Sequence, residues 1–167
     1  GEKSPIGASL TVSLEGLANS VIEPGESVRV DTAWANQGES EVSISGAATD
    51  FSGPSGATYT LDDATAEYPP TLPGDTGRCS DTGDCYEVTV SDPAVRPVQH
   101  WDTLLQEATS IGLPHTWVLH IGESFPDVPT DNIFYDFIET LFHNGVTGGC
   151  FGGGYCPANA VTRAQMA

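Results

Sequence analysis

Short runs of alternating apolar and polar residues recur along the first 122 positions and predict β-strands. In the clearest run, four residues share one strand face: Val28, Val30, Thr32 and Trp34. The other runs cover residues 8–14, 41–45, 57–61 and 86–90. Turns rich in glycine and proline separate these runs, and this spacing predicts an antiparallel β-sandwich.

Residues 98–108 fit two periodicities. Val98, Trp101 and Leu105 lie at helical spacing, whereas Trp101, Thr103 and Leu105 lie at strand spacing. Residues 115–122 alternate and are rich in β-formers, and residues 111–114 supply a turn before them. We expect a hairpin that completes the sandwich, so that the predicted fold is mainly β and immunoglobulin-like over residues 9–122.

From residue 125 onward the apolar period changes from two to 3.6 and predicts a helix. Thr130 or Asp131 can cap its start, and Asn144-Gly145 is a typical stop. The apolar stripe comprises Ile133, Phe134, Phe137, Ile138, Leu141 and Phe142. Near the end of the chain, Thr162 and Gln165 have the spacing of a capping box, which predicts a second helix from Arg163. A small helical hairpin should therefore follow the sandwich.

The charge balance restricts the partners. Five residues are basic and 23 are acidic, which gives a formal charge of −18. Nucleic acid and anionic membranes both need positive protein surface, so neither is expected as a partner. No apolar run reaches the length needed to cross a membrane, so no membrane insertion is expected.

Four cysteines fall into two short pairs, Cys79 with Cys85 and Cys150 with Cys156, each with five residues between its members. Zinc sites usually have closer spacing and more histidine nearby, so two local disulfides are the better interpretation. Disulfides indicate an oxidising compartment and hence an extracellular protein.

The polar loop at residues 68–85 offers carboxylates to a cation. Asp75, Asp81 and Asp84 lie there, and calcium prefers several oxygen ligands from a loop. Glycine–aspartate runs are also ordinary turn chemistry. Calcium is therefore a tentative ligand, and no other cofactor is expected.

The histidines do not predict an enzyme. His115 and His120 lie five residues apart on a predicted strand and should point to opposite faces. His100 and Asp102 can share a face, but no nucleophile motif accompanies them. His143 falls in the last helical turn, where a cation meets the helix dipole favourably. We expect a non-enzymatic protein.

The C-terminal quarter resembles an S-layer homology module of bacterial surface proteins. Its matching residues are Phe125, Asp127, Val128, Pro129, Tyr135, Ile138, Glu139, Leu141, Gly145, Val146, Gly148, Tyr155, Pro157, Val161, Thr162, Arg163, Ala164 and Met166. More faintly, residues 24–40 resemble the repeated β-sandwich domains of bacterial surface proteins.

The resemblance implies a helical hairpin at residues 123–167 that anchors an exported protein to the cell envelope by binding polysaccharide. It implies Thr162 and Arg163 as the glycan contact, since an arginine fork suits an acidic sugar. Residues 1–8 are expected to form an N-terminal arm. An alternative function uses that arm: the chain assembles with copies of itself into a filament or surface array by adding a strand to a neighbouring sheet.

Overall fold

The structure is a computed structural model that describes residues 3–12, by their backbone, and residues 21–160. These residues form nine strands and one α-helix: β1 Lys3–Val12, β2 Ser27–Asn36, β3 Ser45–Ser52, β4 Tyr59–Asp63, β5 Thr65–Glu67, β6 Thr76–Arg78, β7 Tyr86–Val90, β8 Asp102–Thr109, β9 Pro114–His120 and α1 Tyr135–His143. A short 3-10 turn covers Cys79–Asp81. The prediction of a mainly β protein is confirmed.

The strands make two antiparallel sheets. One has the order β1–β2–β7–β4, with β6 also paired to β2, and the other has the order β5–β3–β8–β9. Buried side chains from both sheets form one hydrophobic core, which includes Trp34, Tyr86, Trp101, Leu105 and Trp117. This arrangement fits a β-sandwich, because each sheet covers the apolar face of the other.

Most predicted strands are present, with shifted ends. Residues 86–90 match β7, and the ambiguous residues 98–108 contribute β8, which pairs with β9 in the expected hairpin. The strand predicted at residues 41–45 is wrong, because β3 begins only at Ser45 and Val42 makes an isolated bridge to Thr71. The strand predicted at residues 57–61 lies at Tyr59–Asp63.

The predicted N-terminal arm is a second correction. Residues 3–8 belong to β1, whose backbone pairs with β2 from Lys3 opposite Asn36 to Val12 opposite Val28. The ten residues of β2 offer backbone partners along their whole length, so β1 extends further toward the N-terminus than the alternation at residues 8–14 suggested.

The helix begins later than its predicted caps. α1 starts at Tyr135 rather than after Thr130 or Asp131, because the Asn132 side chain accepts the backbone N–H of Phe134 at 2.9 Å and holds a turn there. Its end matches the prediction: the helix stops at His143, and Gly145 has a φ of +69° that suits glycine.

Only two residues of the predicted apolar stripe, Ile138 and Phe142, are buried. Tyr135, Ile138 and Phe142 pack in a small second core with Val21, Phe125 and Val128. Ile133, Phe134, Phe137 and Leu141 remain exposed. After α1, residues up to 160 form turns, so the described part of this segment contains no helical hairpin. The second helix expected from Arg163 lies outside the described residues.

Candidate functional site

Strand β8 presents two carboxylates to opposite sides of its sheet. Side chains alternate along a strand, and Thr103, Leu105 and Glu107 are buried in the sandwich core. Asp102 therefore points to the outer face of the sheet, where it pairs across the ladder with His120 of β9. The same alternation turns His115 of β9 inward, as predicted from its distance to His120.

Three histidines converge on Asp102. His120 Nδ1 and His143 Nδ1 lie 2.7 Å and 2.8 Å from its Oδ1 atom. His100 Nε2 lies 3.1 Å from its Oδ2 atom. His100 precedes β8, His120 is the last residue of β9, and His143 is the last residue of α1. We call these three residues and Asp102 the histidine cluster.

The rings of the histidine cluster also touch one another. The His120 and His143 rings stack with centroids 4.4 Å apart, and His100 meets His143 edge to face at 4.9 Å. The side chain of His143 is fully buried, whereas those of His100, Asp102 and His120 are 44%, 31% and 29% exposed. The cluster is therefore buried at His143 and accessible to solvent at its other three residues.

A second carboxylate lies behind His143. His143 Nε2 is 3.2 Å from the Ile121 carbonyl oxygen and 3.5 Å from Glu139 Oε2. Glu139 is fully buried, and Ser124 donates to it twice, from its backbone N–H at 2.9 Å and from its hydroxyl at 2.7 Å. These contacts fix the plane of the His143 ring.

The electrostatics of the histidine cluster favour a cation. Burial alone raises the pKa of Asp102, but hydrogen bonds from His120 and His143 outweigh it and hold that pKa well below its usual range. Burial alone lowers the pKa of His143, but hydrogen bonds to Asp102 and Glu139 and their negative charges raise it to about 9. Two carboxylates thus stabilise positive charge at one buried imidazole.

Arg96 holds the segment on which α1 docks. Its guanidinium donates to the carbonyl oxygens of Ile121 at 2.9 Å, Gly122 at 2.6 Å and Gln99 at 3.1 Å. It also lies 5.2 Å from the centroid of the Trp101 ring. Because Arg96 binds the residues next to both His100 and His120, it keeps their backbones in place.

A different polar centre lies inside the sandwich. Glu107 is only 2% exposed. Its Oε1 accepts hydrogen bonds from Tyr68 and Tyr86, each at 2.7 Å, and its Oε2 accepts them from Trp117 at 2.6 Å and Trp34 at 3.3 Å. Two hydroxyls and two indole N–H groups satisfy both oxygens, so this buried carboxylate is fully paired.

Both predicted disulfides are present. Cys79 is bonded to Cys85, and Cys150 to Cys156. The first lies beside Asp31 on β2, whose carboxylate accepts the hydroxyl of Ser80 at 2.9 Å. The second closes a loop that is held at its C-terminal end by Asp127, which accepts the backbone N–H groups of Tyr155 and Cys156. Disulfides are consistent with an oxidising compartment.

The other predicted site residues do not form a site in the described residues. The side chains of Asp75, Asp81 and Asp84 do not come together as a group that could hold a metal ion. Asp81 instead accepts the backbone N–H of Arg78 at 3.0 Å. Thr162 and Arg163, the expected glycan contacts, lie outside the residues that the structure describes.

The C-terminal segment exposes large apolar side chains. All exposed phenylalanines of the described residues lie there: Phe134 at 59%, Phe137 at 68% and Phe151 at 104%. Ile133 and Val146 add to this surface. A concentration of exposed aromatic residues in a short segment is typical of a contact surface.

Sequence reasoning identified each histidine but not the cluster. The shared face of His100 and Asp102 was a correct signal, and so was His143 at the end of a helix. The missing information was that His143, at the end of α1, lies against Asp102 of β8 and His120 of β9, which no periodicity reveals.

Comparisons with known proteins leave the family open. No helix among the described residues is long and apolar enough to cross a membrane. No protein-family profile matches the chain, and no curated protein sequence matches it significantly.

Proposed function

We propose that the chain is a non-enzymatic structural protein of a bacterial cell surface, attached to the cell envelope through residues 123–167. The exposed phenylalanines of this segment carry the proposal, because aromatic rings in water are surfaces against which the apolar faces of sugar rings pack. Phe134, Phe137 and Phe151 all belong to the segment that resembles an S-layer homology module.

Two further observations support this function. The disulfides favour an extracellular location. The second disulfide and Asp127 hold the loop between α1 and residue 157 in one conformation, which fixes the backbone of this part of the segment. The ligand of this segment is an envelope polysaccharide, with Thr162 and Arg163 as polar contacts.

Sedimentation with purified envelope material tests the attachment. The wild-type protein should pellet with envelope polysaccharide. The double change Phe134→Ser and Phe137→Ser should lower the binding affinity at least about tenfold, which corresponds to about 1.4 kcal/mol. Arg163→Ala should also weaken binding. Val95→Ser provides the matched control, since Val95 is 80% exposed on the sandwich.

Equal pelleting of the wild type and the double variant would contradict attachment through this segment. Failure of the wild type to pellet at all would contradict envelope binding.

An edge strand favours one alternative function, self-assembly into a filament or array. β1 lies at the end of the five-stranded sheet and has β2 as its neighbour in the sheet order. An edge strand can exchange between copies of a chain. Negative-stain microscopy of the purified protein should then show large particles, and deletion of residues 1–8 should dissolve them. A monomer in both cases would rule this alternative out.

A further inference from the structure

We propose that the histidine cluster binds one divalent transition metal ion, for which zinc is the best fit. The ion would connect α1 to the outer face of the β8–β9 hairpin. This site is independent of envelope attachment, because it lies where α1 meets the sandwich and uses none of the exposed phenylalanines.

The donor atoms select the class of metal. Three imidazole nitrogens and one carboxylate suit Zn²⁺ and its neighbours, whereas calcium and magnesium prefer oxygen ligands alone. All four cysteines are in disulfides, so thiolates do not compete for the ion. The candidate ligand atoms of His100, Asp102 and His143 all lie within 4.8 Å of one another. His120 is not part of that group and would have to move toward it to become the fourth ligand, although its Nδ1 atom already lies 2.7 Å from Asp102 Oδ1.

The surroundings of His143 match those of a metal ligand. In the metal-free protein both ring nitrogens of His143 face acceptors, the Asp102 carboxylate at Nδ1 and the Ile121 carbonyl at Nε2, so both donate. A bound metal ion would replace the proton on Nδ1, which faces the other members of the cluster, while Nε2 would keep its hydrogen bond to Ile121. Metal-binding histidines usually donate their second ring N–H to a carbonyl or carboxylate in this way, and Glu139 supplies the carboxylate.

The ligand side chains must rearrange around an ion. Around a tetrahedral ion with bonds of about 2.0–2.1 Å, neighbouring ligand atoms are about 3.3 Å apart. The contacts to Asp102 are 2.7–3.1 Å, so they must open by a few tenths of an ångström. His100, Asp102 and His120 are partly exposed and can make this adjustment, while His143 stays fixed.

Bound metal would join three separate parts of the chain. His100 precedes β8, His120 ends β9 and His143 ends α1. Inside the second core, α1 is held by few apolar residues, so a bond of this kind would add substantially to its docking.

Zinc titration of chelator-treated protein tests the proposal. Calorimetry should show one Zn²⁺ bound per chain. On binding, the ring nitrogens of His100, His120 and His143 should shift in ¹⁵N spectra, and those of His115 should not. This control is well matched, because His115 lies on the same strand as His120 but on the opposite face.

Variants give the second readout. His120→Gln and His143→Gln should lose the one-to-one binding, and His115→Gln should bind within about twofold of the wild type. Glu139→Gln should weaken binding by about 10- to 100-fold. If a variant fails to fold, the ring-nitrogen shifts of the wild-type protein on zinc binding identify the ligands instead. Absence of saturable zinc binding, an equal loss in His115→Gln, or shifts at His115 alone would overturn the proposal.

Discussion

Two carboxylates on strand β8 form polar centres of opposite kinds. Glu107 faces the sandwich core and accepts hydrogen bonds from two tyrosines and two tryptophans. Asp102, five residues earlier, faces outward and meets three histidines. The strand and the carboxylate group are the same in both cases, so the face of the sheet and the partners on it make the difference.

The partners decide whether a centre can change its state. The indole N–H of tryptophan only donates and cannot bind a metal. Burial and the negative charge of Glu107 raise the pKa of Tyr68 and Tyr86, so their hydroxyls keep their protons. The Glu107 centre is therefore closed. Imidazole offers either a proton or a lone pair, which leaves the Asp102 centre able to exchange protons for a metal ion.

The largest expected effect comes from breaking the closed centre. Glu107→Ala would leave four buried donors without their acceptor and create a cavity. The free energy of unfolding should fall by at least about 3 kcal/mol, measured by urea denaturation. Gln106→Ala, on the exposed face of the same strand, should change it by less than about 0.5 kcal/mol. A loss below about 1 kcal/mol for Glu107→Ala would show that the stability of the fold does not depend on the Glu107 centre.

In metal-free protein, the stability that the histidine cluster contributes to the fold should depend on pH. The pKa of His143 is about 9 in the fold and about 6.5 when unfolded. Because the folded pKa is raised, protonation of His143 stabilises the fold fully below about pH 6.5, and this contribution is lost as the pH rises through about 9. At about 1.4 kcal/mol per pKa unit, the loss is about 3 kcal/mol.

The groups that face His143 are Asp102 on β8, His120 on β9, His100 before β8 and Glu139 on α1. Urea unfolding between pH 6 and pH 10, with chelator present, measures the slope of the free energy of unfolding against pH. His143→Gln should lack this part of the slope, and His115→Gln should retain it. An identical slope in His143→Gln would contradict the assignment to His143.

A smaller effect tests how tightly the closed centre is packed. A Cβ atom at Gly46 would lie 2.0 Å from Tyr86 Oη and 2.3 Å from Glu107 Oε1. Gly46→Ala should therefore destabilise the fold by about 1–3 kcal/mol, seen as a lower midpoint in thermal unfolding. A methyl group added at Gly148 would have no neighbour within 4 Å, so Gly148→Ala should leave the midpoint unchanged or slightly raised. Equal midpoints for both variants would show that the Glu107 centre accommodates an added methyl group without loss of stability.

The sequence predicts what depends on neighbouring residues. Alternation located β7 and the β8–β9 hairpin, cysteine spacing paired Cys79 with Cys85, and the Asn144-Gly145 stop ended α1 at the correct residue. The start of α1 was predicted wrongly, because the Asn132 turn competes with the caps at Thr130 and Asp131.

Both polar centres depend on contacts between distant residues. His143 meets Asp102 across 41 positions, and Trp34 meets Glu107 across 73. Local patterns carry no information on such pairs. A charged residue at an inward position of a strand was the one available signal for Glu107, and its interpretation requires the packing of both sheets.

X-ray absorption at the zinc edge, on protein loaded with one equivalent of Zn²⁺, tests the histidine cluster most directly. The predicted spectrum has nitrogen and oxygen ligands at about 2.0–2.1 Å, with the outer-shell scattering of about three imidazole rings. A shell of oxygen atoms without imidazole scattering, or sulfur ligands at about 2.3 Å, would contradict it.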